Sequence, residues 1–165
     1  MKIQTGANNP LLRQPSGLIS QITPDLENLV TRMFETLKKA QGIGLSAPQV
    51  GKNLRLFIVD QMAFENKEGF SFKKINPDLK QGCVFINPKL LKKSRKENIL
   101  PEGCLSLPET IQKNIPVPRA KKLTLWAQDI SGKPFKLYAK GLLARVIQHE
   151  MDHLKGRLII DYIKK

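Results

Sequence analysis

The run Gly141-Leu-Leu-Ala-Arg-Val-Ile-Gln-His-Glu-Met-Asp-His-Leu-Lys-Gly156 decides the fold, because its pattern predicts one helix that holds the only two histidines of the chain. It has no proline and no internal glycine, and a glycine comes just after the last apolar residue, as is typical of a helix C-terminus. His149 and His153 are four residues apart, so their imidazoles lie on the same helix face. Glu150 lies about 100° further round, where its carboxylate can reach a water held at the histidines. This H-E-x-x-H pattern predicts two metal ligands and a general base.

The histidine face continues backwards along the helix to Val146 and Leu142. Apolar side chains at these positions predict that the face is turned towards the core. We therefore expect a buried, dry metal site, with Leu142 and Val146 walling any pocket in front of it.

Length and composition limit the class of protein. A chain of 165 residues predicts a single domain, residues 1–165. No apolar run is long enough to span a membrane, and the start, residues 1–5, lacks the apolar segment of a signal peptide. Two cysteines, Cys83 and Cys104, are too few for a disulfide scaffold, and one of them is better explained as a metal-binding thiolate. We expect a cytoplasmic protein without membrane contact, an organellar location remaining open.

A net charge of +14 favours encounter with polyanions such as ribosomal RNA. Aromatic residues make up only 6% of the chain and do not alternate with the basic ones, so no stacking platform for bases is predicted. We interpret the charge as electrostatic steering, with no sequence-specific nucleic-acid binding. The basic residues crowd into one stretch: Lys73, Lys74, Lys80, Lys89, Lys92, Lys93, Arg95 and Lys96.

The order of the remaining elements predicts an α+β fold, with antiparallel sheets around a central metal-bearing helix. Residues 8–21 are interpreted as an extended arm, and Thr23 as the N-cap of a helix whose apolar residues repeat with helical spacing. Residues 60–82 are polar and are expected to contain a loop or insertion. The predicted strands are residues 54–59, residues 83–86 (ended by Asn87-Pro88), one or two strands within 90–100, and a hairpin of residues 122–128 and 134–139.

A catalytic metal usually has three protein ligands and one open position, so a third ligand is needed. Ile159 stands where a metzincin has its third histidine, and no glutamate follows Glu150. The ligand must therefore come from upstream, Asp161 being improbable. Cys83 lies in an apolar strand and is better explained as an inert core thiol. Elimination favours Cys104, which lies in a proline-bounded bend.

Three motifs together resemble the peptide deformylase family: Gly42-Ile-Gly-Leu-Ser-Ala-Pro-Gln49, Glu102-Gly-Cys-Leu-Ser106 and Gln148-His-Glu-Met-Asp-His153. Their order and approximate spacing match that family over nearly the whole chain. The resemblance implies a metal-dependent hydrolase that removes the formyl group from the N-terminal methionine of newly made polypeptides. Two departures from the family are expected: Ser46 replaces a more usual alanine, and the chain is expected to lack the long basic C-terminal helix of many bacterial members.

The resemblance also implies roles for particular residues. Cys104, His149 and His153 would hold the metal, and Glu150 would act as general base and then acid. The Gln49 side-chain amide and the Leu105 backbone N–H would stabilise the oxyanion. Ile43, Gly44 and Gly103 would present backbone to an extended N-formylmethionyl peptide.

The family implies one divalent cation, Fe(II) in the native enzyme, with zinc, nickel or cobalt able to replace it. Thiolate and imidazole ligands suit both zinc and iron, so composition does not select the ion. We also expect an ion pair between Asp152 and Arg119 to anchor the metal helix.

Two rival classes remain open at the level of sequence. A metallopeptidase would use the same helix to cleave ordinary peptide bonds. A basic ribosome- or RNA-binding module would use the metal as structural zinc, which normally takes four protein ligands and would need Cys83 as well.

Overall fold

The computed structural model describes residues 1–65, 69–73, 81–113 and 115–163. Lys74 and Lys80 of the basic stretch, and residues 66–68 and 74–80 of the predicted loop between residues 60 and 82, lie outside these ranges. The described residues form the strands β1 (Gly44–Ser46), β2 (Leu56–Asp60), β3 (Phe70–Lys73), β4 (Gly82–Lys93), β5 (Glu97–Glu102), β6 (Ile115–Ala120), β7 (Lys122–Gln128) and β8 (Pro134–Lys140).

Two antiparallel sheets are built from these strands. The larger has the order β1-β2-β4-β7-β8-β3, and β5 pairs with β6 in a separate two-stranded ribbon. β7 and β8 are the predicted hairpin, with Lys122 opposite Lys140 and Gln128 opposite Pro134. The α+β class with antiparallel sheets is confirmed.

Within the described residues, four α-helices accompany the sheets: α1 (Pro10–Arg13), α2 (Pro24–Lys39), α3 (Pro108–Lys113) and α4 (Gly141–His153). The Thr23 side chain caps α2 by accepting a hydrogen bond from the Leu26 N–H at 3.3 Å, as the sequence predicts. The face of α2 that carries Leu26, Val30 and Met33 is buried against β1 and β2.

The metal-bearing helix α4 is central because it packs on both sheets. It contacts β1, β2, β7 and β8 of the larger sheet and β6 of the ribbon. Its apolar residues enter a core cluster with the stacked rings of Phe57 and Phe85 and with Phe135. Cys104 belongs to a different cluster, centred on Leu107, Val117 and the residues that follow α4. The bend that carries Cys104 is thereby packed beside the end of α4.

Two local predictions were wrong. Residues 8–21 are not extended throughout, because the Asn9 side chain accepts a hydrogen bond from the Leu11 N–H and starts α1. Asn87-Pro88 does not end a strand, because β4 continues to Lys93. Asn87 adopts φ +50° and the register shifts between Ile86 and Lys89, so Pro88 falls in a bulge, where its missing N–H costs no ladder bond.

Both cysteines are free and buried. Burial raises the pKa of the Cys83 thiol, which agrees with the prediction of an inert core residue. Among the described helices, none combines the length and apolar composition that crossing a bilayer requires.

Gly141, the first residue of α4, and Gly156, which follows its end, provide a matched test of packing around the metal helix. Gly141 and Gly156 have φ of +62° and +72°, but a Cβ at Gly141 would meet nothing within 4 Å, whereas one at Gly156 would lie 2.4 Å from the Arg13 carbonyl oxygen. We expect Gly141→Ala to cost about 1 kcal/mol of unfolding free energy, from the left-handed backbone alone. Gly156→Ala should cost about 2–4 kcal/mol, since it adds an overpacking clash.

Urea unfolding of the metal-free proteins measures this difference without a contribution from bound metal. Equal losses in the two variants would contradict the close contact between the N-terminal arm and the end of α4.

Candidate metal centre

Cys104, His149 and His153 each direct one ligand atom to a common point. The three atoms lie within 4.8 Å of one another, and Cys104 Sγ is 3.3 Å from His153 Nε2. Zinc–sulfur and zinc–nitrogen bonds in a tetrahedral site would set those two atoms about 3.5 Å apart. The donor set therefore fits a single small divalent cation.

Local hydrogen bonds hold the Cys104 bend in place. The Cys104 N–H donates to Thr110 Oγ1 at 3.2 Å, and the Thr110 hydroxyl donates to the Leu107 carbonyl at 2.7 Å. The Leu107 N–H donates in turn to the Cys104 carbonyl at 2.9 Å. This closed turn aims the thiol at α4, whose helical spacing supplies both imidazoles.

Glu102 fixes the tautomer and orientation of the first histidine. His149 Nδ1–H donates to Glu102 Oε2 at 3.0 Å, which leaves Nε2 with its lone pair free for a metal. Burial alone would raise the pKa of Glu102, but hydrogen bonds from His149 and Arg119 outweigh it and lower the pKa to about 2. Glu102 is thus ionised at every pH at which the protein would work.

The Glu102 carboxylate lies between two buried arginines. Arg119 donates to both of its oxygens, at 3.0 and 2.9 Å, and Arg145 donates to Oε1. Arg119 also pairs with Asp152, which confirms the ion pair predicted from the sequence. The Tyr162 hydroxyl donates to the same Asp152 carboxylate at 2.8 Å. The last residue of β5, strand β6 and helix α4 are therefore joined by one charged network.

Sequence reasoning assigned no role to Glu102 or Arg145. A signal for Arg145 existed, because it lies four residues before His149 and so on the same helix face. Glu102 lies inside one of the quoted motifs, two residues before Cys104. Its arginine partners lie 17 and 43 residues away, and only the fold shows the pairing.

Glu150 is 3% exposed, and within the described part of the chain its Oε2 has no hydrogen-bond partner. Burial raises its pKa to about 7, although His149 and Ser46 act in the opposite direction. The carboxylate lies against β1, where a Cβ at Gly44 would come within 2.6 Å of Glu150 Oε1. Gly44 is thus required for β1 and α4 to approach this closely.

A cavity of about 560 Å³ opens in front of the ligands. Leu142 at its rim is 54% exposed, so the expectation that the whole histidine face is core is wrong at this end, while Val146 is buried. Cys83 does not join the ligands, since the groups that could hold a metal among the described residues comprise only Cys104, His149 and His153. Every predicted site residue except His153 lines the cavity: Ile43, Gly44, Gln49, Gly103, Cys104, Leu105, Leu142, Val146, His149 and Glu150.

An H-E-x-x-H helix, three converging ligands and a buried carboxylate at an open cavity define the class of protein as a metallohydrolase. Comparison with known proteins narrows the class. A sequence model of the polypeptide deformylase family matches residues 2–165. Peptide deformylase from Tolumonas auensis is 44% identical over 152 residues, which span 92% of this chain and 80% of that protein.

Solved structures agree with this match. A plant peptide deformylase superimposes with a TM-score of 0.83 at 37% identity, over 100% of this chain and 81% of that one. The peptide deformylase of Synechococcus elongatus, solved in complex with actinonin, gives a TM-score of 0.80 at 34% identity, over 99% and 78% of the two chains. The chain belongs to the polypeptide deformylase family, metallohydrolases that remove the N-formyl group from nascent polypeptides.

The Glu102 network predicts a coupled loss of stability and metal affinity. Glu102→Gln leaves Arg119 and Arg145 buried with less counter-charge, which should cost about 3–5 kcal/mol. It also weakens the partner of His149, so metal affinity should fall about 10- to 100-fold. Denaturant unfolding and competition with a metal chelator measure the two effects.

Glu97→Gln is the matched control, because Glu97 is at the other end of β5 and, among the described residues, its carboxylate forms only an exposed 4.0 Å pair with Lys93. Glu97→Gln should change neither the free energy of unfolding nor the metal affinity measurably. Unaltered metal affinity in Glu102→Gln would show that the carboxylate does not support the ligand.

Proposed function

We propose that this chain hydrolyses the formamide of N-formylmethionyl polypeptides and releases formate, using a divalent metal held by Cys104, His149 and His153. The observation that carries the proposal is the convergence of these three donors beside a buried glutamate, in a cavity open to a peptide. When bound, the cation would supply Lewis acidity, which makes water nucleophilic near neutral pH. The other steps fall to side chains and backbone of this chain.

Glu150 is the group that moves the proton. A carboxylate with a pKa near 7 can accept a proton from the attacking water and return it to the departing amine. Its position beside the ligands in a dry environment suits both transfers. No histidine is left to act as the general base, because both histidines of the chain are proposed as metal ligands.

The oxyanion that forms on the formyl group needs fixed hydrogen-bond donors. The Gln49 side-chain amide lies in the cavity wall, with Nε2 at 3.9 Å from Cys104 Sγ, and the Leu105 backbone N–H follows the thiolate ligand directly. Both donors lie beside the metal ligands, where the carbonyl oxygen would be. Removal of one such donor typically lowers kcat by about 10²- to 10³-fold.

Among the described strands, β1 lies at the edge of the larger sheet, a position that suits an extended substrate. The Asp60 N–H donates to the Ile43 carbonyl at 2.8 Å, so Ile43 and Asp60 form a hydrogen-bonded pair across β1 and β2. Because such pairs alternate in antiparallel sheets, the N–H and carbonyl of Gly44 point away from β2. A peptide could add to this edge as a further strand, with Gly103 on the opposite side and Leu142 and Val146 beside the methionine side chain.

The metal is proposed to be Fe(II) in the native enzyme, with zinc, nickel or cobalt able to replace it. One thiolate and two imidazoles suit all four ions. A thiolate on iron is open to oxidation, so the iron form should lose activity in air.

Two further parts of the proposal concern the setting of the reaction. Residues 1–165 would act as one catalytic domain in the cytoplasm, where newly made chains are available. Lys92, Lys93, Arg95 and Lys96 are exposed at the β4–β5 turn and could contact ribosomal RNA through charge. Co-sedimentation with ribosomes that does not weaken as salt rises would contradict that contact.

The activity is tested with three peptides that differ only at the N-terminal nitrogen: formylated, acetylated and unblocked. We expect hydrolysis of the formyl-methionyl peptide, with the metal content of the same anaerobic sample close to one ion per chain. Cleavage of an internal peptide bond in the unblocked analogue would instead identify a metallopeptidase.

Two variants separate the proton-transfer role from the ligand role. Glu150→Gln should keep the metal and lower kcat by about 10²- to 10⁴-fold, because the general base is removed. Cys104→Ala should lose both metal and activity. Metal analysis and steady-state kinetics check both, and an active Cys104→Ala enzyme would refute the ligand assignment.

A further inference from the structure

Ser46, the last residue of β1, is a buried hydroxyl next to the proposed oxyanion donor. Its side chain is 0% exposed. The Ser46 hydroxyl donates to Gln49 Oε1 at 2.9 Å. The Ser46 hydroxyl is therefore a polar group buried where an apolar side chain would fit.

The contacts of Gln49 fix which end of its amide faces the ligands. The Ser46 backbone N–H also lies 2.9 Å from Gln49 Oε1, and because an N–H can only donate, the amide oxygen must be on that side. The amide nitrogen therefore faces Ser106 Oγ at 3.2 Å and Cys104 Sγ at 3.9 Å. One N–H is used by Ser106, and the other points towards the metal ligands.

The terminal torsion of a glutamine is broad, so each hydrogen bond to the amide narrows the range of its rotation. Two donors on the same oxygen, from the Ser46 backbone and the Ser46 hydroxyl, restrict that rotation. We propose that Ser46 is a positioning residue that holds the Gln49 amide with its second N–H, the one not donated to Ser106, directed to the place of the formyl oxygen. This inference rests on the proposed role of Gln49 as an oxyanion donor.

The Ser46 hydroxyl could also affect catalysis through Glu150. The experiment must separate this role from the role through Gln49. The Ser46 hydroxyl also acts on the Glu150 carboxylate, whose pKa it lowers. A hydroxyl has one proton and cannot donate to Gln49 and Glu150 at once. If Ser46 acts through Gln49, Ser46→Ala should no longer lower kcat once the Gln49 amide has been replaced.

The test is a double-mutant cycle on metal-loaded protein with a formyl-methionyl peptide. Ser46→Ala removes one neutral hydrogen bond and should lower kcat about 3- to 10-fold, with KM and metal content unchanged. Gln49→Leu keeps the volume and should lower kcat about 10²- to 10³-fold. The double variant should match Gln49→Leu within about twofold if the coupling is complete.

Ser16→Ala is the control, since Ser16 has a buried hydroxyl away from the cavity, with no hydrogen-bond partner among the described residues. It should leave kcat unchanged. The proposal is overturned if Ser46→Ala has the activity of the parent, or if it lowers kcat by the same factor with and without Gln49. An unchanged kcat in Gln49→Leu would instead refute the proposed role of Gln49 itself.

Discussion

The chemistry of this fold depends on one buried carboxylate, Glu102. Its oxygens accept hydrogen bonds from Arg119 on β6 and from Arg145 and His149 on α4. Since Glu102 ends β5 two residues before Cys104, the same contacts that orient the histidine also set the distance from the thiolate to the helix. Two elements that are far apart in sequence thereby present their ligand atoms within 4.8 Å of one another. Apolar packing between the bend and the helix restrains distance but not direction, so the network supplies the directional contacts.

The network also explains how so much charge is buried at one place. The guanidinium groups of Arg119 and Arg145 balance the carboxylates of Glu102 and Asp152, so the supporting shell has no net charge. A divalent cation would be balanced in the same way by the Cys104 thiolate and the Glu150 carboxylate. Because uncompensated buried charge is costly, this balance favours a doubly charged ion over a more highly charged one. The large positive charge of the chain is therefore a property of its surface, separate from the site.

The parts of the fold that were predictable from sequence are those with a local period. Helix α4, its two histidines and Glu150 follow from helical spacing, the N-cap of α2 follows from Thr23, and Cys104 was reached by eliminating other ligands. The pairing of Glu102 with Arg119 and Arg145 was not predicted, because contacts between residues 17 and 43 positions apart produce no periodic pattern in the sequence. The passage of β4 through Asn87-Pro88 was missed for a related reason: a bulge removes the need for the proline N–H, and only the register of β7 reveals the bulge.

The account depends on one sulfur and two imidazole nitrogens binding the same ion with a place left for solvent. X-ray absorption at the metal edge of anaerobically loaded protein measures this directly, because sulfur and nitrogen neighbours differ in distance by about 0.2–0.3 Å. The account predicts one sulfur, two imidazole nitrogens and one oxygen that a hydroxamate or formate can displace. A spectrum with no sulfur, or with four protein ligands and no exchangeable oxygen, would contradict it.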